Sequence, residues 1–214
     1  MGYIIKIILS YLLGSISGSL IAGKIKGVDI RKMGSGNAGG TNAFRTQGAG
    51  FALGVILIDI AKGLIATVYV ALMTIPFISD SGTANTDILM ILCGIAAVVG
   101  HVYPIYFGFK GGKGGGAAIG VLLAIAPKIL LIAVIIWIIN LILTGYVGLG
   151  TMIAAVSIPA MNLFLPVSNS YFAYFAFPLA AFIIYTHRSN IKRMLEGNEN
   201  RFEKAMILRR IKKT

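Results

Sequence analysis

Long apolar runs alternate with short polar segments along this chain, and the length of the runs predicts helices that cross a membrane. An α-helix rises about 1.5 Å per residue, so about 20 apolar residues span the core of a bilayer. The runs do not alternate apolar and polar residues as the strands of a membrane barrel do. Seven membrane helices are therefore expected, near residues 3–22, 50–75, 88–107, 114–127, 129–144, 147–165 and 171–186.

Composition strengthens this interpretation. Of 214 residues, 57% are hydrophobic and 12% are charged, whereas about a quarter of the residues of soluble domains are charged. A soluble fold could not bury this much apolar surface. We predict an all-α membrane protein with a membrane domain over residues 1–186 and a basic cytoplasmic tail over residues 187–214, with interfacial loops or short helices on the cytoplasmic side.

The distribution of charge predicts the orientation. Sixteen of the 19 Lys and Arg residues lie in residues 24–48, 108–113 and 187–214, which fall on one side of a seven-span bundle. The 76–87 loop on the other side carries only acidic charges. The positive-inside rule then places the N-terminus outside and the C-terminus in the cytoplasm. The net charge of +12 is explained by this topology and by attraction to anionic lipid, so nucleic acid is not an expected partner.

Metal chemistry and disulfides are not expected. The chain has two histidines and one cysteine, Cys93, which lies inside the third predicted span. A single cysteine cannot form an intrachain disulfide, and no spacing of ligands typical of a zinc site occurs. We predict a packing role for Cys93.

The first polar segment, "DIRKMGSGNAGGTNAFR", covers residues 29–45. It contains "GSGNAG", a formal match to the G-x-G-x-x-G fingerprint, but that fingerprint requires a preceding strand, and here a membrane span precedes it. The segment nevertheless offers hydroxyl, amide and guanidinium donors suited to an anion, on Ser35, Asn37, Thr41, Asn42 and Arg45. A solvated interfacial turn is the alternative.

The second segment, "GFKGGKGGG", covers residues 108–116. It fails the pattern of a nucleotide-binding P-loop, because Lys113 is followed by Gly114 and position 107 is Phe. Successive glycine amides beside a lysine still predict an anion nest, particularly if a helix begins there. His101, upstream, is either a hydrogen-bonded structural residue or a site residue.

The third segment, "HRSNIKRMLEGNE", covers residues 187–199 and places His187 and Asn190 on one helical face. Asp59 and Lys62 share a face in the same way, and a buried structural ion pair is predicted for them. The three polar segments lie on the same predicted side of the membrane. Together they favour one anion-binding bowl at the cytoplasmic face, for an anionic substrate with a lipid-like partner.

Three stretches resemble, in order and separation, the signature regions of the bacterial acyl-phosphate-dependent glycerol-3-phosphate acyltransferases. They are the first segment, "GHVYPIYFGFKGGKG" at 100–114, which overlaps the second segment, and the third segment. "DIAKG" at 59–63 and "LTGYVGLGTM" at 143–152 also resemble family segments. The resemblance implies transfer of an acyl group from acyl phosphate to the 1-hydroxyl of sn-glycerol 3-phosphate, which gives lysophosphatidic acid and phosphate in the first step of phospholipid synthesis.

The resemblance also implies roles for individual residues. The substrate phosphates would be held by Ser35, Arg45, Lys113, Thr151, His187 and Asn190, of which Lys113, His187 and Asn190 would be catalytic. Supporting roles fall to Asn37, Thr41, Gly112 and His101. An acyl phosphate is already activated, so we expect direct attack by the hydroxyl and no acyl-enzyme. The general base is either His187 or a phosphate oxygen of a substrate.

No cofactor or metal is implied. The expected partners are sn-glycerol 3-phosphate, acyl phosphate and membrane lipids, together with the enzyme that forms acyl phosphate and the lysophosphatidic acid acyltransferase that follows. The expected location is the bacterial inner membrane, with the active site facing the cytoplasm. The alternatives are a transporter or channel for an anionic metabolite and an inactive acyltransferase-like paralogue.

The chain departs from the usual family motifs at several positions, and three of these departures change a polar group. Ala117 and Gly148 stand where relatives usually carry a hydroxyl, and Ser189 stands where they usually carry a carboxylate. The retained donors, Ser35, Arg45, Lys113 and Asn190 among them, favour a working enzyme.

Overall fold

The computed structural model describes residues 2–76 and 85–206, and within these ranges the regular elements are helical and no strand occurs. The helices are α1 (Gly2–Gly14), α2 (Gly18–Ile25), α3 (Gly40–Gln47), α4 (Ala49–Ile65), α5 (Thr86–Val102), α6 (Gly115–Ile125), α7 (Pro127–Thr144), α8 (Val147–Met161), α9 (Phe172–Thr186) and α10 (Arg188–Leu195). A π-helical turn, Ala66–Val70, extends α4. Short 3₁₀ turns cover Ile30–Lys32, Ile105–Phe107 and Glu203–Ala205.

The apolar helices confirm a helical membrane protein. Three are long and apolar enough to cross a bilayer, at Ala49–Val70, Thr86–Phe107 and Pro127–Thr144, and the bent pair α1 and α2 is a candidate fourth span. Three shorter apolar helices, α6, α8 and α9, contain 11, 15 and 15 residues. The count of seven spans and the orientation of the termini remain predictions. Asp80 and residues 207–214 of the predicted tail lie outside the described residues.

The first predicted span is broken. A bend of 44° separates α1 from α2, and the break frees backbone groups that lipid cannot satisfy. The Ile16 carbonyl at the break accepts a hydrogen bond from Lys62 Nζ at 2.8 Å. A charged side chain from α4 therefore caps the interruption.

The described residues form two compact units. The N-terminal unit comprises the described residues within 1–125 together with 169–172, and the C-terminal unit comprises the described residues within 126–168 and 173–214. The division into a membrane domain over residues 1–186 and a tail over residues 187–214 remains a prediction. In the N-terminal unit, Cys93 is fully buried with Ala71 and Leu89, which confirms its packing role.

Glycines bring the helices of the N-terminal unit into close contact. A Cβ on Gly14 of α1 would lie 2.6 Å from Ala97 Cα of α5. Likewise, a Cβ on Gly63 of α4 would overlap the Ala117 carbonyl of α6, and one on Gly120 would overlap the Ile60 carbonyl. Such small residues let backbones approach where lipid provides no hydrophobic drive for helix association.

The start of α6 meets the middle of α4. A Cβ on Gly116 would lie 2.8 Å from Asp59 Cβ, and Asp59 stands about ten residues, or about 15 Å, along α4. A helix that begins beside the middle of a membrane span needs few residues to reach the level at which that span ends. This position explains why α6, predicted to cover 114–127, has only 11 residues.

In the C-terminal unit, α7 packs against α8, and the chain after α10 returns to the loop between them. A Cβ on Gly150 of α8 would lie 3.2 Å from Trp137 Cδ1 of α7. The Phe202 amide donates to the Gly145 carbonyl at 2.8 Å, and the Arg201 guanidinium lies 4.7 Å from the centre of the Tyr146 ring.

Candidate active site

Asn42 organises the turn that carries Ser35. Its side chain is fully buried, and its Nδ2 donates to the carbonyls of Ile30 at 3.1 Å and Met33 at 3.0 Å. Its Oδ1 accepts from the Ser35 amide at 2.9 Å. One amide side chain thus satisfies three backbone groups. The sequence suggested Asn42 as an anion donor, and the structure shows instead that it shapes the loop.

The other predicted residues of this segment lie on or beside α3. Ser35, Asn37 and Arg45 are half-buried, and Thr41 is exposed in the first turn of α3. Ala38 is buried, and its carbonyl accepts from Ser19 Oγ of α2 at 2.8 Å. The segment is therefore tied to α2 as well as to α3, and the alternative of a merely solvated turn does not describe it.

A clamp joins this segment to the second polar segment. Asp29 accepts from the Arg31 amide at 3.0 Å, and its two carboxylate oxygens accept from Arg31 Nε at 3.0 Å and Nη2 at 2.9 Å. Arg31 Nη1 donates across to the Phe107 carbonyl at 3.1 Å. The Arg31 hydrogen bonds hold the pKa of Asp29 below its usual range, so the pair stays charged at neutral pH.

The glycine-rich loop folds back onto the end of α5. Gly111 N donates to the Val102 carbonyl and Gly112 N to the His101 carbonyl, both at 3.1 Å. Carbonyls in the last turn of a helix have no partner within the helix, and these amides supply one. The predicted anion nest is therefore wrong for these two amides, which are already bonded.

Sterics explain the glycines at these two positions. A Cβ on Gly111 would overlap the His101 carbonyl oxygen, and one on Gly112 would overlap the His101 ring at Nε2. Gly114, at φ +89°, needs a left-handed conformation. Lys113 is half-buried between these glycines, two residues before α6 begins. The predicted residues His101 and Gly112 are thus in direct contact, and they hold the loop that carries Lys113.

A buried charge cluster lies beneath this loop. Asp59 and Lys62 are each 3% exposed, and Lys62 Nζ lies 3.0 Å from Asp59 Oδ1. His101 Nδ1 lies 3.3 Å from the same oxygen. Neither contact on Oδ1 has the alignment of a hydrogen bond, so the attraction is mainly electrostatic. The predicted buried ion pair is confirmed, and His101 is an addition to it.

In the C-terminal unit, His187 stands at the junction of α9 and α10. It is 5% exposed, and its Nδ1 lies 2.8 Å from the Ile183 carbonyl oxygen. A carbonyl only accepts, so Nδ1 carries the proton and donates. In the neutral ring, Nε2 then carries the lone pair, which is the arrangement a general base requires.

Asn190 is held by a carboxylate that the sequence did not single out. Asn190 Nδ2 donates to Glu199 Oε1 at 2.8 Å, and Arg193 Nε donates to Glu199 Oε2 at 2.6 Å. Glu199 is 7% exposed. The chain reaches this position through Gly197, whose φ of +73° reverses it after α10.

The remaining predicted residue, Thr151, lies on α8 with its hydroxyl already bonded. Thr151 Oγ1 donates to the Val147 carbonyl at 2.9 Å and accepts from Trp137 Nε1 at 3.2 Å. To donate to a phosphate, the hydroxyl must rotate away from Val147.

The three departures from the family pattern have different surroundings. Ala117 is fully buried where α6 packs against α4. A Cβ on Gly148 would lie 2.7 Å from Asn190 Nδ2, so the missing side chain lets Asn190 approach α8. Ser189 is exposed, and the carboxylate that bonds Asn190 is Glu199. Within the described ranges, no group of three or more His, Cys, Asp and Glu side chains comes together.

Comparison with known proteins decides the family. A family model described as "Glycerol-3-phosphate acyltransferase" matches residues 4–197. The chain belongs to the glycerol-3-phosphate acyltransferase family. The family resemblance seen in the sequence is thereby confirmed, and the chain is an enzyme by family.

Curated relatives and solved structures agree with this glycerol-3-phosphate acyltransferase assignment. The glycerol-3-phosphate acyltransferases of Chlorobaculum parvum and Chlorobaculum tepidum are 43% and 42% identical, over 91% of this chain and 94% of each relative. A crystal structure of PlsY, an integral membrane glycerol 3-phosphate acyltransferase in its glycerol 3-phosphate form, matches with a TM-score of 0.83 and 36% identity over 94% of this chain and 96% of that one. Its lysophosphatidic acid form matches with a TM-score of 0.81 at 35% identity.

Proposed function

We propose that this chain transfers an acyl group from acyl phosphate to the 1-hydroxyl of sn-glycerol 3-phosphate. One observation carries the proposal: the chain matches, over 94% of its length, the fold of PlsY, which has been solved in a glycerol 3-phosphate form and in a lysophosphatidic acid form. These two ligands differ by one acyl group on an oxygen, so they are the acceptor and the product of an acyl transfer.

The chemistry needs positioning more than covalent catalysis. The 1-hydroxyl oxygen forms a bond to the acyl carbon, the bond from that carbon to the phosphate oxygen breaks, and inorganic phosphate leaves. The hydroxyl proton passes to a base. Both substrates are anions that repel one another, so cationic and amide donors lower the barrier by holding them in line.

In the N-terminal unit, Ser35, Arg45 and Lys113 are the proposed phosphate ligands. The bonds of Asn42 to the turn before α3 and those of Gly111 and Gly112 to α5 support this assignment, because both fix the backbone beside a proposed ligand. Asn37 and Thr41 are proposed as supporting donors. The amides of the first turn of α6 add the positive end of a helix dipole next to Lys113.

In the C-terminal unit, His187 is the proposed general base, and Asn190 and Thr151 are proposed substrate ligands. The donation from His187 Nδ1 to the Ile183 carbonyl supports the first role, since it makes Nε2 the basic nitrogen of the neutral ring. Glu199 orients the Asn190 amide, because its Oε1 accepts a hydrogen bond from Asn190 Nδ2.

The proposal includes seven spans in the bacterial inner membrane with the site at the cytoplasmic face. Contacts within the N-terminal unit support it: Arg31 reaches Phe107, and Asn169 Nδ2 donates to the Asp87 carbonyl, so segments predicted on one side meet each other. Single cysteines at the exposed positions Lys24 and Ser168 are expected to react from opposite sides of sealed vesicles. Labelling from the same side would overturn this topology.

We further propose that the chain takes acyl phosphate from an enzyme that forms it and passes lysophosphatidic acid to a second acyltransferase. Membrane lipids form its surroundings. Acyl phosphate is an apolar chain with a charged head, so a membrane enzyme can accept the chain from the bilayer while its polar groups bind the head.

The assay that tests this function supplies palmitoyl phosphate and labelled glycerol 3-phosphate to the purified wild-type protein and follows labelled lysophosphatidic acid. We expect product, and we expect Lys113→Ala to lower kcat/KM by roughly 10²- to 10³-fold, the usual loss when one donor to reacting charge is removed. Lys110→Ala, at an exposed lysine of the same loop, is the matched control and is expected to stay within about twofold of wild type, as for an exposed charge.

The outcomes separate the alternatives. Absence of product from well-folded wild type would favour an inactive paralogue, and uptake of glycerol 3-phosphate into vesicles without acylation would favour a transporter. Product formation with equal activity in Lys113→Ala and Lys110→Ala would support the reaction but remove Lys113 from the site.

A further inference from the structure

We infer that Asp59, Lys62 and His101 form a positioning cluster that places Lys113 for catalysis, a role that rests on the proposed function of Lys113. The three side chains touch neither the reacting groups nor substrate in this assignment. They act on the backbone that carries Lys113, through the contacts of His101 and Asp59 with residues 111–116.

His101 contacts the glycine-rich loop through both its backbone carbonyl and its ring. The His101 carbonyl accepts from the Gly112 amide at 3.1 Å, and the imidazole ring lies so close to Gly112 that no Cβ fits there. The residue next to Lys113 is therefore held by both the backbone and the side chain of His101. If the His101 ring rotated, Gly112 would lose its contact with the ring.

The His101 ring also lies beside a buried ion pair. His101 Nδ1 lies 3.3 Å from Asp59 Oδ1, the oxygen that also lies 3.0 Å from Lys62 Nζ. All three residues are 3% exposed, so the ring is enclosed beside the Asp59–Lys62 ion pair and close packing leaves it little space to turn. Lys62 is in turn fixed by its bond to the Ile16 carbonyl at the break between α1 and α2.

Asp59 contacts the other end of the loop, where α6 begins. Gly116, in the first turn of α6, packs on the Asp59 side chain so tightly that a Cβ would lie 2.8 Å from Asp59 Cβ. A carboxylate beside the N-terminus of a helix is also favoured by the helix dipole. One cluster thus contacts the residue before Lys113 and the third residue after it.

Buried charges in a membrane helix are costly, which makes a purely incidental cluster a poor explanation. A structural role and a positioning role nevertheless predict different results. A structural cluster supports folding equally whether or not Lys113 is present. A positioning cluster affects activity through Lys113, so its effect must vanish when that lysine is removed.

A double-mutant cycle measures the difference. The variants are His101→Ala, Lys113→Ala and the double variant, assayed for kcat/KM with palmitoyl phosphate and glycerol 3-phosphate, with the thermal midpoint in detergent recorded for each. We expect His101→Ala to lower kcat/KM by about tenfold or more in the wild-type background and by less than about twofold in the Lys113→Ala background. Losses that multiply in the double variant would overturn the inference.

Steric rescue provides a second test that does not need Lys113 to be removed. Gly112→Ala places a methyl group into the His101 ring and is expected to lower activity strongly. His101→Ala removes the ring, so the double variant Gly112→Ala with His101→Ala is expected to be more active than Gly112→Ala alone. A double variant that is less active than either single variant would contradict the proposed contact.

The results also separate this inference from the proposed function. If Lys113→Ala is as active as wild type, the proposed role of Lys113 fails, and the positioning role fails with it. If Lys113→Ala is impaired but His101→Ala is not, only the positioning role fails. Should His101→Ala not accumulate in membranes, Asp59→Asn, which is nearly isosteric, replaces it in the cycle, and failure of both to accumulate would assign the cluster to folding alone.

Discussion

Replacing Gly63 with alanine is expected to lower the thermal midpoint of the protein in detergent by about 2–12 °C. The new Cβ would overlap the Ala117 carbonyl oxygen and would lie 3.0 Å from its carbonyl carbon. These are backbone atoms of α6, so no side chain can rotate to make room. Overpacking of this kind typically costs about 1–3 kcal/mol, and in a chain of this size each kcal/mol shifts the midpoint by about 2–4 °C.

Gly54 is the matched control on the same helix. Within the described part of the chain, no atom lies within 4 Å of the position a Gly54 Cβ would take. Alanine is a better helix former than glycine by up to about 1 kcal/mol, so Gly54→Ala is expected to leave the midpoint unchanged or to raise it. Equal midpoints for Gly54→Ala and Gly63→Ala would show that α4 and α6 are not in close contact.

Replacing His187 is expected to have the largest effect on catalysis. As the proposed base, it contributes the roughly 10²- to 10⁴-fold that a positioned proton acceptor provides. His187→Ala removes both the base and the bond to Ile183. His187→Asn can keep an N–H donor near the position of Nδ1 but has no basic nitrogen, so both variants are expected to lose kcat by about 10²-fold or more.

The comparison of these two variants separates chemistry from support. If a substrate phosphate oxygen accepts the proton and His187 only braces α9 against α10, His187→Asn will retain nearly the kcat of wild type while His187→Ala will not. The measurement is the initial rate of lysophosphatidic acid formation at saturating substrates, with the thermal midpoint of each variant as a check on folding. Retained kcat in His187→Asn would rule out the base role.

The membrane helices and the buried pair were predictable because both depend on simple spacing. A bilayer requires about 20 apolar residues for each crossing, and such runs are visible in any sequence. Asp59 and Lys62 are three residues apart, so a helix must place them on one face. The family signatures carried most of the site residues, because these lie in the three polar segments that interrupt the apolar pattern, whereas Thr151 and His101 lie outside them.

Contacts between distant segments were not predictable in the same way. Glu199 is nine residues from Asn190 and reaches it only because the chain reverses at Gly197 after α10 ends. The role of Gly111 and Gly112 also differs from the one that their sequence context predicts. Glycine beside lysine is typical of an anion nest, and only the fold shows that those amides bond the end of α5.

The break between α1 and α2 left little trace in the sequence. Residues 3–22 read as one apolar run, since Ser15 and Ser17 resemble the scattered polar residues that spans tolerate. What makes the break possible is Lys62, 46 positions away, which supplies a donor to the Ile16 carbonyl. A single-sequence pattern does not contain that pairing.

The start of α6 beside the middle of α4 has a consequence for how lipids enter and leave. Ala49–Val70 is long enough to cross a bilayer, and Gly116 meets it at Asp59. On the proposed function and topology, we expect a phosphate next to Lys113 to bind deeper in the membrane than the start of α4. Lysophosphatidic acid would then have to move outward along α4 before it diffuses into the leaflet, and we expect turnover to fall as the bilayer becomes thicker.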